Sequence, residues 1–190
     1  MATEVVQTVK FIPEDLEKRI DTIPVVEINV SAHPAGAATA TGAKEVAATT
    51  ESRTNHWVLY LIVGGGKGSL RFDLPSDGAG PSVATLVIRE LTYEKSSNEV
   101  KTCTVKMSEG ITAGAVLEAI KKRGMDRYKF AQSGQGCRHW NLAVLDMLKK
   151  NGFVASHIDE AVDGLHKVWL KDGILAPMDA QTGIVAGKFY

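Results

Sequence analysis

The sequence has few cysteines and no excess of charge of either sign. Two cysteines among 190 residues cannot form the disulfide framework of a small secreted domain, so Cys103 and Cys137 are expected to be free thiols in a reducing compartment. The 22 basic residues balance the 22 acidic ones, and no global positive field exists to attract nucleic acid or an anionic membrane. We therefore expect no nucleic-acid partner.

Long apolar runs and metal-binding spacings are missing as well. No apolar run approaches the roughly 18 residues of a membrane span, and the first residues, Met-Ala-Thr-Glu-Val-Val-Gln, lack the basic flank and apolar core of a secretory signal. His139, His157 and His166 are too scattered to match a metal-binding pattern such as His-Glu-x-x-His. These absences predict a cytoplasmic protein with no membrane span, no metal and no other cofactor.

The sequence does contain enough apolar residues for one core. With 44% hydrophobic residues in a chain of 190, we expect residues 1–190 to form a single domain. Within it, residues 31–54 are rich in Ala, Thr and Gly without a clear period, which predicts a long loop or flap. Because this segment directly precedes His56, we expect it to lie across or beside the functional site.

Several β-rich segments precede a mainly helical C-terminal part. Their alternation and glycine-rich connections predict an antiparallel β-sheet meander packed against a few helices, which is an α+β fold. The predicted strands cover residues 23–30, 56–63, 69–74, 83–90, 100–107 and 167–170. The predicted helices cover residues 13–18, 112–123 with Thr112 as its cap, 137–150, and a short stretch that Ser156 caps together with Asp159.

Alternation along two of these strands brings polar residues together. The strand that opens with His56 places this side chain on the same face as Tyr60. In the following strand, alternate apolar residues face one side, which puts Arg71 and Asp73 on the other. His56 and Asp73 can therefore share one polar face, unless a shift of one residue in the register separates them.

Cys137 lies where a glycine-rich turn meets an amphipathic run. Residues 132–136 read Gln-Ser-Gly-Gln-Gly, and the predicted helix follows directly. The unpaired backbone N–H groups and the positive dipole end at a helix start favour a thiolate over a thiol. A nucleophilic cysteine needs a base, and His56 is the best candidate in the sequence.

These residues carry a resemblance to a known superfamily. A strand that opens with His56 and Trp57, followed much later by Gly-Cys-x-His-Trp over residues 136–140, resembles the circularly permuted branch of the papain-like superfamily. That branch includes the lecithin:retinol acyltransferase-like proteins and the desumoylating isopeptidases. The resemblance implies a permuted papain-like core in which the His strand precedes the Cys helix. Gly136 stands where these relatives often have Asn, and their second His has no obvious counterpart, which leaves Asp73 as the candidate orienting group.

The chemistry that the resemblance implies is acyl transfer by a Cys-His dyad. The Cys137 thiolate would attack the carbonyl of an amide, isopeptide or thioester in a small-molecule or peptide-like substrate. His56 would hold the proton and return it to the leaving group, and Asp73 would fix the tautomer of the imidazole. The prediction is a cysteine-dependent hydrolase or acyltransferase.

A second set of residues is predicted to bind the substrate around the thiol. The side chains of Gln132 and Gln135, with the Cys137 backbone N–H, can donate to the developing oxyanion, and Gly136 lets the substrate approach the backbone. Large aromatic residues near the site are mainly expected in the core, and they can also line a pocket. These aromatic residues are Trp57, Tyr60 and Trp140.

Each catalytic candidate also has a purely structural interpretation. Free cysteines are often buried, so Cys137 can be a small core residue of its helix. His56 can be a structural hydrogen bonder, and Asp73 beside Arg71 can be a solvated ion pair. The sequence alone leaves both interpretations open.

A second functional class also stays open. The chain as a whole resembles an uncharacterised family of small fungal proteins with the signatures Asn-His-Trp-x-Leu-Tyr-Leu and Gly-x-Gly-Cys-Arg. Fungal secondary metabolism would suit a small-molecule-binding protein or a cofactor-independent cyclase that uses the same pocket without covalent catalysis. Fast reaction of Cys137 with iodoacetamide at about pH 6 would distinguish a nucleophile from a buried structural thiol. The sequence predicts no oligomeric state.

Overall fold

The chain has an α+β fold in a computed structural model that describes residues 10–34, 54–75, 83–155 and 157–190. The mixture of helices and antiparallel strands confirms the predicted fold class. In chain order the elements are β1 (Lys10–Phe11), α1 (Glu14–Glu17), β2 (Val25–His33), β3 (His56–Val63), β4 (Ser69–Asp73), β5 (Val83–Ala84), β6 (Leu86–Leu91), β7 (Lys101–Lys106), α2 (Ala113–Lys122), β8 (Tyr128–Lys129), α3 (Cys137–Lys150), α4 (Asp159–Leu165) and β9 (Lys188–Phe189).

Six strands form the main sheet in the order β1–β6–β4–β3–β2–β7. β2, β3, β4 and β6 are successive antiparallel neighbours, as expected of a meander. β7 departs from that pattern because it crosses to the far edge and pairs with β2, while β1 pairs parallel with β6. The long strands β2 and β3 therefore lie side by side, with Ile28 opposite Leu61. A smaller sheet has the order β5–β8–β9.

The helices bury one face of the main sheet. In β3, Trp57, Leu59 and Leu61 point into this core, since alternate residues of a strand face opposite sides. α2 and α3 add apolar side chains such as Val116 and Val144, both fully buried. Burial of each side chain of this size stabilises the fold by about 1.5–3 kcal/mol. This packing holds α3 against the strand that begins with the candidate base.

The centre of the opposite face of the sheet is buried as well, and many of its side chains are polar. Tyr60 lies here with Ser31 and Ser69, and all three are fully buried. The Ser31 hydroxyl lies 3.2 Å from the Thr102 hydroxyl, and the Ser69 hydroxyl donates to the Tyr93 carbonyl at 2.6 Å. Burial of a hydroxyl without a hydrogen-bond partner costs free energy. These bonds supply the partners, so polar side chains can be buried on this face of the sheet.

The helices begin and end close to the predicted residues. The Thr112 hydroxyl accepts a hydrogen bond from the Ala115 N–H at 3.2 Å, which confirms the predicted cap of α2. α3 extends over 14 residues, with the bounds that the sequence predicted. No helix in the described part of the chain has the length and apolar character needed to cross a membrane.

Two predicted strands are wrong. The strand predicted over residues 83–90 is divided between two sheets, because Ala84 pairs with Tyr128 in the small sheet and Leu86 pairs with Lys10 in the main one. The strand predicted over residues 167–170 is reduced to an isolated bridge at Trp169. There the Asn55 side chain accepts a hydrogen bond from the Trp169 N–H and donates one to the Trp169 carbonyl. These two bonds replace those that a neighbouring strand would make.

The first residues of the predicted flap belong to a strand. Residues 31–33 belong to β2, which remains paired with β3 as far as His33 opposite His56. Residues 35–53 and Ser156 lie outside the described residues. The position of the flap relative to the site therefore stays a prediction.

Candidate functional site

Cys137 is the first residue of α3, and the backbone before it requires glycine. Gly136 has a φ of 154°, a conformation that residues with a Cβ rarely adopt. A Cβ at this position would also lie 2.8 Å from the Tyr128 hydroxyl. The turn places the thiol at the positive end of the helix, with 8% of the residue exposed.

His56 lies against this thiol. It is the first residue of β3, and its side chain lies close enough to Cys137 for each group to shift the pKa of the other. The sulfur also lies 3.7 Å from the Asn55 carbonyl oxygen and interacts with the Trp57 backbone N–H. The His56 side chain keeps 14% of its surface exposed, so the pair is not sealed from solvent. The structure thus brings the predicted nucleophile and base together.

Asp73 holds the other side of the imidazole. Its Oδ1 lies 2.7 Å from Nε2 of His56, and its Oδ2 accepts a hydrogen bond from Nη2 of Arg71 at 2.6 Å. The antiparallel register of β3 and β4 puts both side chains on one face, as the alternation predicted. Because Nε2 faces Asp73, Nδ1 is the ring nitrogen left for Cys137.

The charges of these three groups reinforce one another. Burial disfavours the charged form of His56, but the charge of Asp73 and its hydrogen bond outweigh burial and raise the pKa of the imidazole to about 10. Burial also disfavours the Cys137 thiolate, but the hydrogen bond and charge of His56 outweigh it and lower the pKa of the thiol. The arrangement favours a thiolate–imidazolium pair over the neutral groups.

A second histidine, which was not predicted, lies on the same face. His33 pairs directly with His56 across β2 and β3, and their ring centroids are 6.5 Å apart. Nε2 of His33 lies 3.1 Å from the Tyr60 hydroxyl. Burial, together with the charges of Arg71 and His56, lowers the pKa of His33 to about 4, so this ring stays neutral beside the charged pair. Polar and apolar residues continue to alternate through residues 29–33, but the predicted strand ended before His33.

Two buried asparagines, also not predicted, hold the backbone around the site. The Asn55 side chain donates to the Trp169 carbonyl at 2.9 Å and accepts from the Trp169 N–H at 2.7 Å. The Asn141 side chain donates to the carbonyls of Trp57 at 3.1 Å and Cys137 at 2.7 Å. Asn141 therefore ties the first turn of α3 to the start of β3. An isolated Asn in an amphipathic helix carries no sequence signal for such a role.

The predicted oxyanion and substrate residues lie in different environments. Gln132 is exposed in the turn before α3, and Gln135 is half-buried in that turn. The side chains of Trp57 and Trp140 are fully buried in the core, and their role in substrate binding stays a prediction. Trp57 reaches the thiol through its backbone N–H instead. Tyr60 is fully buried beneath the polar face.

An open cleft lies elsewhere on the molecule. It has a volume of about 760 Å³ and opens between α2 and the C-terminal end of α3, where Lys122, Arg123 and Phe153 contribute to its walls. Cys137 and His56 do not line it. Across the residues that the structure describes, no group of three or more His, Cys, Asp or Glu side chains is placed to hold a metal ion. The Cys137–His56 pair and the cleft are therefore separate features.

Comparison with known proteins identifies a family without assigning an activity. The family model described as Domain of unknown function (DUF7770) matches residues 37–190, so the chain belongs to this family. No curated protein and no solved structure matches the chain. The resemblance to the papain-like superfamily stays a prediction.

Proposed function

We propose that this member of the DUF7770 family is a cysteine-dependent hydrolase or acyltransferase that acts on an amide, isopeptide or thioester. Cys137 is the nucleophile, His56 is the general base and acid, and Asp73 orients the imidazole. The observation that carries the proposal is that His56 lies between Cys137, whose pKa it lowers, and Asp73, whose Oδ1 is 2.7 Å from Nε2 of the imidazole, at the start of a helix. The order of the His strand and the Cys helix is consistent with the permuted papain-like resemblance.

Acylation begins when the Cys137 sulfur attacks the carbonyl carbon of the substrate. A C–S bond forms as the carbonyl π electrons move to oxygen, and the backbone N–H and dipole at the start of α3 favour the negative charge. When the tetrahedral intermediate collapses, the bond to the leaving group breaks and the leaving group takes the proton from His56. The products are a thioester on Cys137 and a released amine or thiol.

Deacylation transfers the acyl group to water or to another nucleophile. The neutral His56 removes a proton from this acceptor as it attacks the thioester carbonyl. Collapse of the second intermediate breaks the C–S bond, returns the electron pair to sulfur and restores the thiolate–imidazolium pair. Water as the acceptor gives a hydrolase, and an amine or hydroxyl gives an acyltransferase.

Asp73 sets the tautomer on which both steps depend. Burial favours the neutral acid, but His56 and Arg71 outweigh burial and lower the pKa of Asp73, so it remains a carboxylate. A carboxylate only accepts hydrogen bonds, so neutral His56 carries its proton on Nε2 and presents an unprotonated Nδ1 to the reacting groups.

Labelling with iodoacetamide, followed by peptide mass spectrometry, tests the proposal within one molecule. Cys103 and Cys137 are both free, as a cytoplasmic location would require. Cys103 is the matched control, because it is fully buried and burial raises its pKa. We expect fast labelling of Cys137 at about pH 6 and protection of Cys103 in the folded protein. Equally slow labelling of both thiols would contradict the proposal.

Trapping of an acyl-enzyme tests the reaction class. The protein is incubated with a panel of acyl thioesters, acyl anilides and isopeptide-linked peptides, and digested peptides are then weighed. We expect at least one substrate to leave its acyl group on Cys137, and Cys137→Ala to abolish both the adduct and the turnover. Turnover that persists in Cys137→Ala would exclude this thiol as the nucleophile.

A further inference from the structure

Residues 181–190, here called the C-terminal strap, cross the start of α3. The Gln181 side chain fixes the beginning of the strap, because it accepts from the Val168 N–H at 2.8 Å and donates to the Val168 carbonyl at 3.2 Å. β9 fixes its end by antiparallel pairing with β8. Between these points the strap contacts Arg138 and Tyr128.

Arg138 follows the nucleophile directly and is buried, with 3% of the residue exposed. Its guanidinium donates to the carbonyl and the hydroxyl of Thr182, both at 3.0 Å, and to the Gly183 carbonyl at 2.7 Å. All three acceptors are uncharged, so the strap fixes the position of the cation without cancelling its charge. The charge of Arg138 adds to the larger effect of His56 in favouring the Cys137 thiolate.

Tyr128 connects the strap to the backbone of the nucleophile. Its hydroxyl accepts from the Gly187 N–H at 2.9 Å and donates to the Gly136 carbonyl at 2.9 Å. The Gly136 carbonyl and the Cys137 N–H belong to one planar peptide unit, so a bond that fixes the carbonyl also fixes the direction of the N–H. That N–H is the backbone donor available to the oxyanion.

Aromatic contacts hold Tyr128 in this orientation. The Phe189 ring of the strap lies 4.9 Å from the Tyr128 ring and 5.6 Å from the His139 ring, measured between centroids. Nδ1 of His139 lies 3.1 Å from the Tyr128 hydroxyl. The strap therefore contributes both a ring and a backbone donor to the cluster beneath the Cys137 turn.

From these contacts we propose that the C-terminal strap regulates the reactivity of Cys137, an inference that rests on the proposed thiol function. The docked strap holds Arg138 and the peptide unit between Gly136 and Cys137 in the reactive arrangement. Release of the strap removes the acceptors of Arg138 and the Gly187 donor to Tyr128, which loosens both groups and makes the thiol less reactive. β5, β8 and β9 each have two residues, so this small sheet can open without unfolding the main sheet.

Two glycines of the strap provide a matched pair of variants. A Cβ at Gly187 would collide with the Tyr128 hydroxyl and the Lys129 carbonyl, so Gly187→Ala prevents docking. A Cβ at Gly183 would meet no atom within 4 Å, so Gly183→Ala leaves docking intact. We expect Gly187→Ala to slow the alkylation of Cys137 at about pH 6 by roughly tenfold or more, and Gly183→Ala to match the wild type.

Tyr128→Phe is the second variant, because it removes the hydroxyl and keeps the ring that packs on Phe189. It should also slow the alkylation of Cys137, and it decides the question if Gly187→Ala does not fold. Wild-type alkylation rates in Tyr128→Phe, or in a folded Gly187→Ala, would overturn the regulatory role while leaving the proposed function intact. A wild-type Cys137 that reacts as slowly as Cys103 would overturn both.

Discussion

At the scale of single residues, the proposed nucleophile, base and orienting acid are placed by three different local structures. Cys137 is set by a glycine turn that opens a helix, and His56 by the first position of a strand. Asp73 is set by the register of the next strand. Because each placement has its own cause, single substitutions can test the three roles separately.

Cys137→Ser separates chemistry from stability. The Asn55 carbonyl and the Trp57 N–H are available as an acceptor and a donor for a hydroxyl at this position. We therefore expect the melting temperature to change little. A hydroxyl is a far weaker nucleophile than a thiolate, so we expect turnover to be lost. Thermal unfolding and the acyl-transfer assay on the same preparation measure the two effects.

A structural thiol would behave in the opposite way. Replacement of a thiol that serves only in packing would cost on the order of 1–3 kcal/mol of the free energy of unfolding if the shorter Ser side chain leaves its hydroxyl beyond bonding distance of the Asn55 carbonyl. Such a loss, with ligand conversion intact, would favour the small-molecule-binding protein or non-covalent cyclase over the thiol enzyme.

Asp73→Asn tests the orienting acid while keeping its shape. Burial opposes the charge of His56, and without the carboxylate to outweigh burial the pKa of the imidazole falls. With less positive charge beside it, the pKa of Cys137 rises, so fast alkylation should begin at a higher pH than in the wild type. The rate of iodoacetamide labelling across a pH series measures this shift.

The matched control for that variant is Asp146→Asn. Asp146 lies on the exposed side of α3, where it pairs with Lys150 at 2.7 Å. Exposed pairs of this kind contribute little, and this one is remote from the His56 imidazole, so its pH profile should follow the wild type. Equal pH profiles for Asp73→Asn and Asp146→Asn would show that Asp73 does not influence the reactivity of Cys137.

At the scale of elements, the bounds of β3 and α3 were predictable because glycines follow the end of β3 and precede the start of α3. β3 is a continuous apolar run from His56 to the glycine-rich turn at residues 64–66, and α3 begins directly after Gly136. Both signals are local, and both elements have the predicted bounds. Local sequence therefore sufficed for the two elements that carry His56 and Cys137.

Other elements depend on partners that are distant in sequence. Residues 31–33 are small or polar and were assigned to a loop, yet β2 keeps its pairing with β3 through them. The division between β5 and β6 has the same origin, because Ala84 and Leu86 are recruited by different sheets. The local sequence pattern of a strand does not indicate with which sheet it will pair.

Asn141→Ala tests how firmly α3 must be held against β3. The substitution leaves the buried carbonyls of Trp57 and Cys137 without this donor, so we expect a loss on the order of 1–3 kcal/mol in the free energy of unfolding. Alkylation of Cys137 should also slow, because the thiol shifts relative to the imidazole. Denaturant unfolding and the labelling rate measure the two effects.

Asn151→Ala, at the other end of the same helix, is the control. Asn151 is exposed, and its side chain donates to the sulfur of Met147, a weak acceptor. We expect little change in stability and none in labelling. If the two variants have the same stability and the same labelling rate, the hydrogen bonds of Asn141 are not needed, and the apolar packing of α3 is enough to position the thiol.

At the scale of the whole molecule, the site lies where β3 begins and combines side chains from both faces of the main sheet. Cys137 belongs to the hydrophobic core, whereas His56 shares the polar face with Asp73. The contact between the Cys137 sulfur and the Asn55 carbonyl spans 82 residues of sequence, and the bond from Trp169 to Asn55 spans 114. Residue type and spacing pointed to Cys137, His56 and Asp73, but the supporting residues depend on this tertiary approach and have no sequence signature.

The pH profile of Cys137 alkylation in the wild type and in His56→Ala tests the central claim most directly. The lowered pKa of the thiol means that the rate in the wild type should reach its plateau well below about 8.5, the ordinary thiol pKa. In His56→Ala, burial acts without the opposing imidazolium, so the rate should rise only above about 8.5. Identical profiles in the two proteins would contradict the claim that His56 activates Cys137.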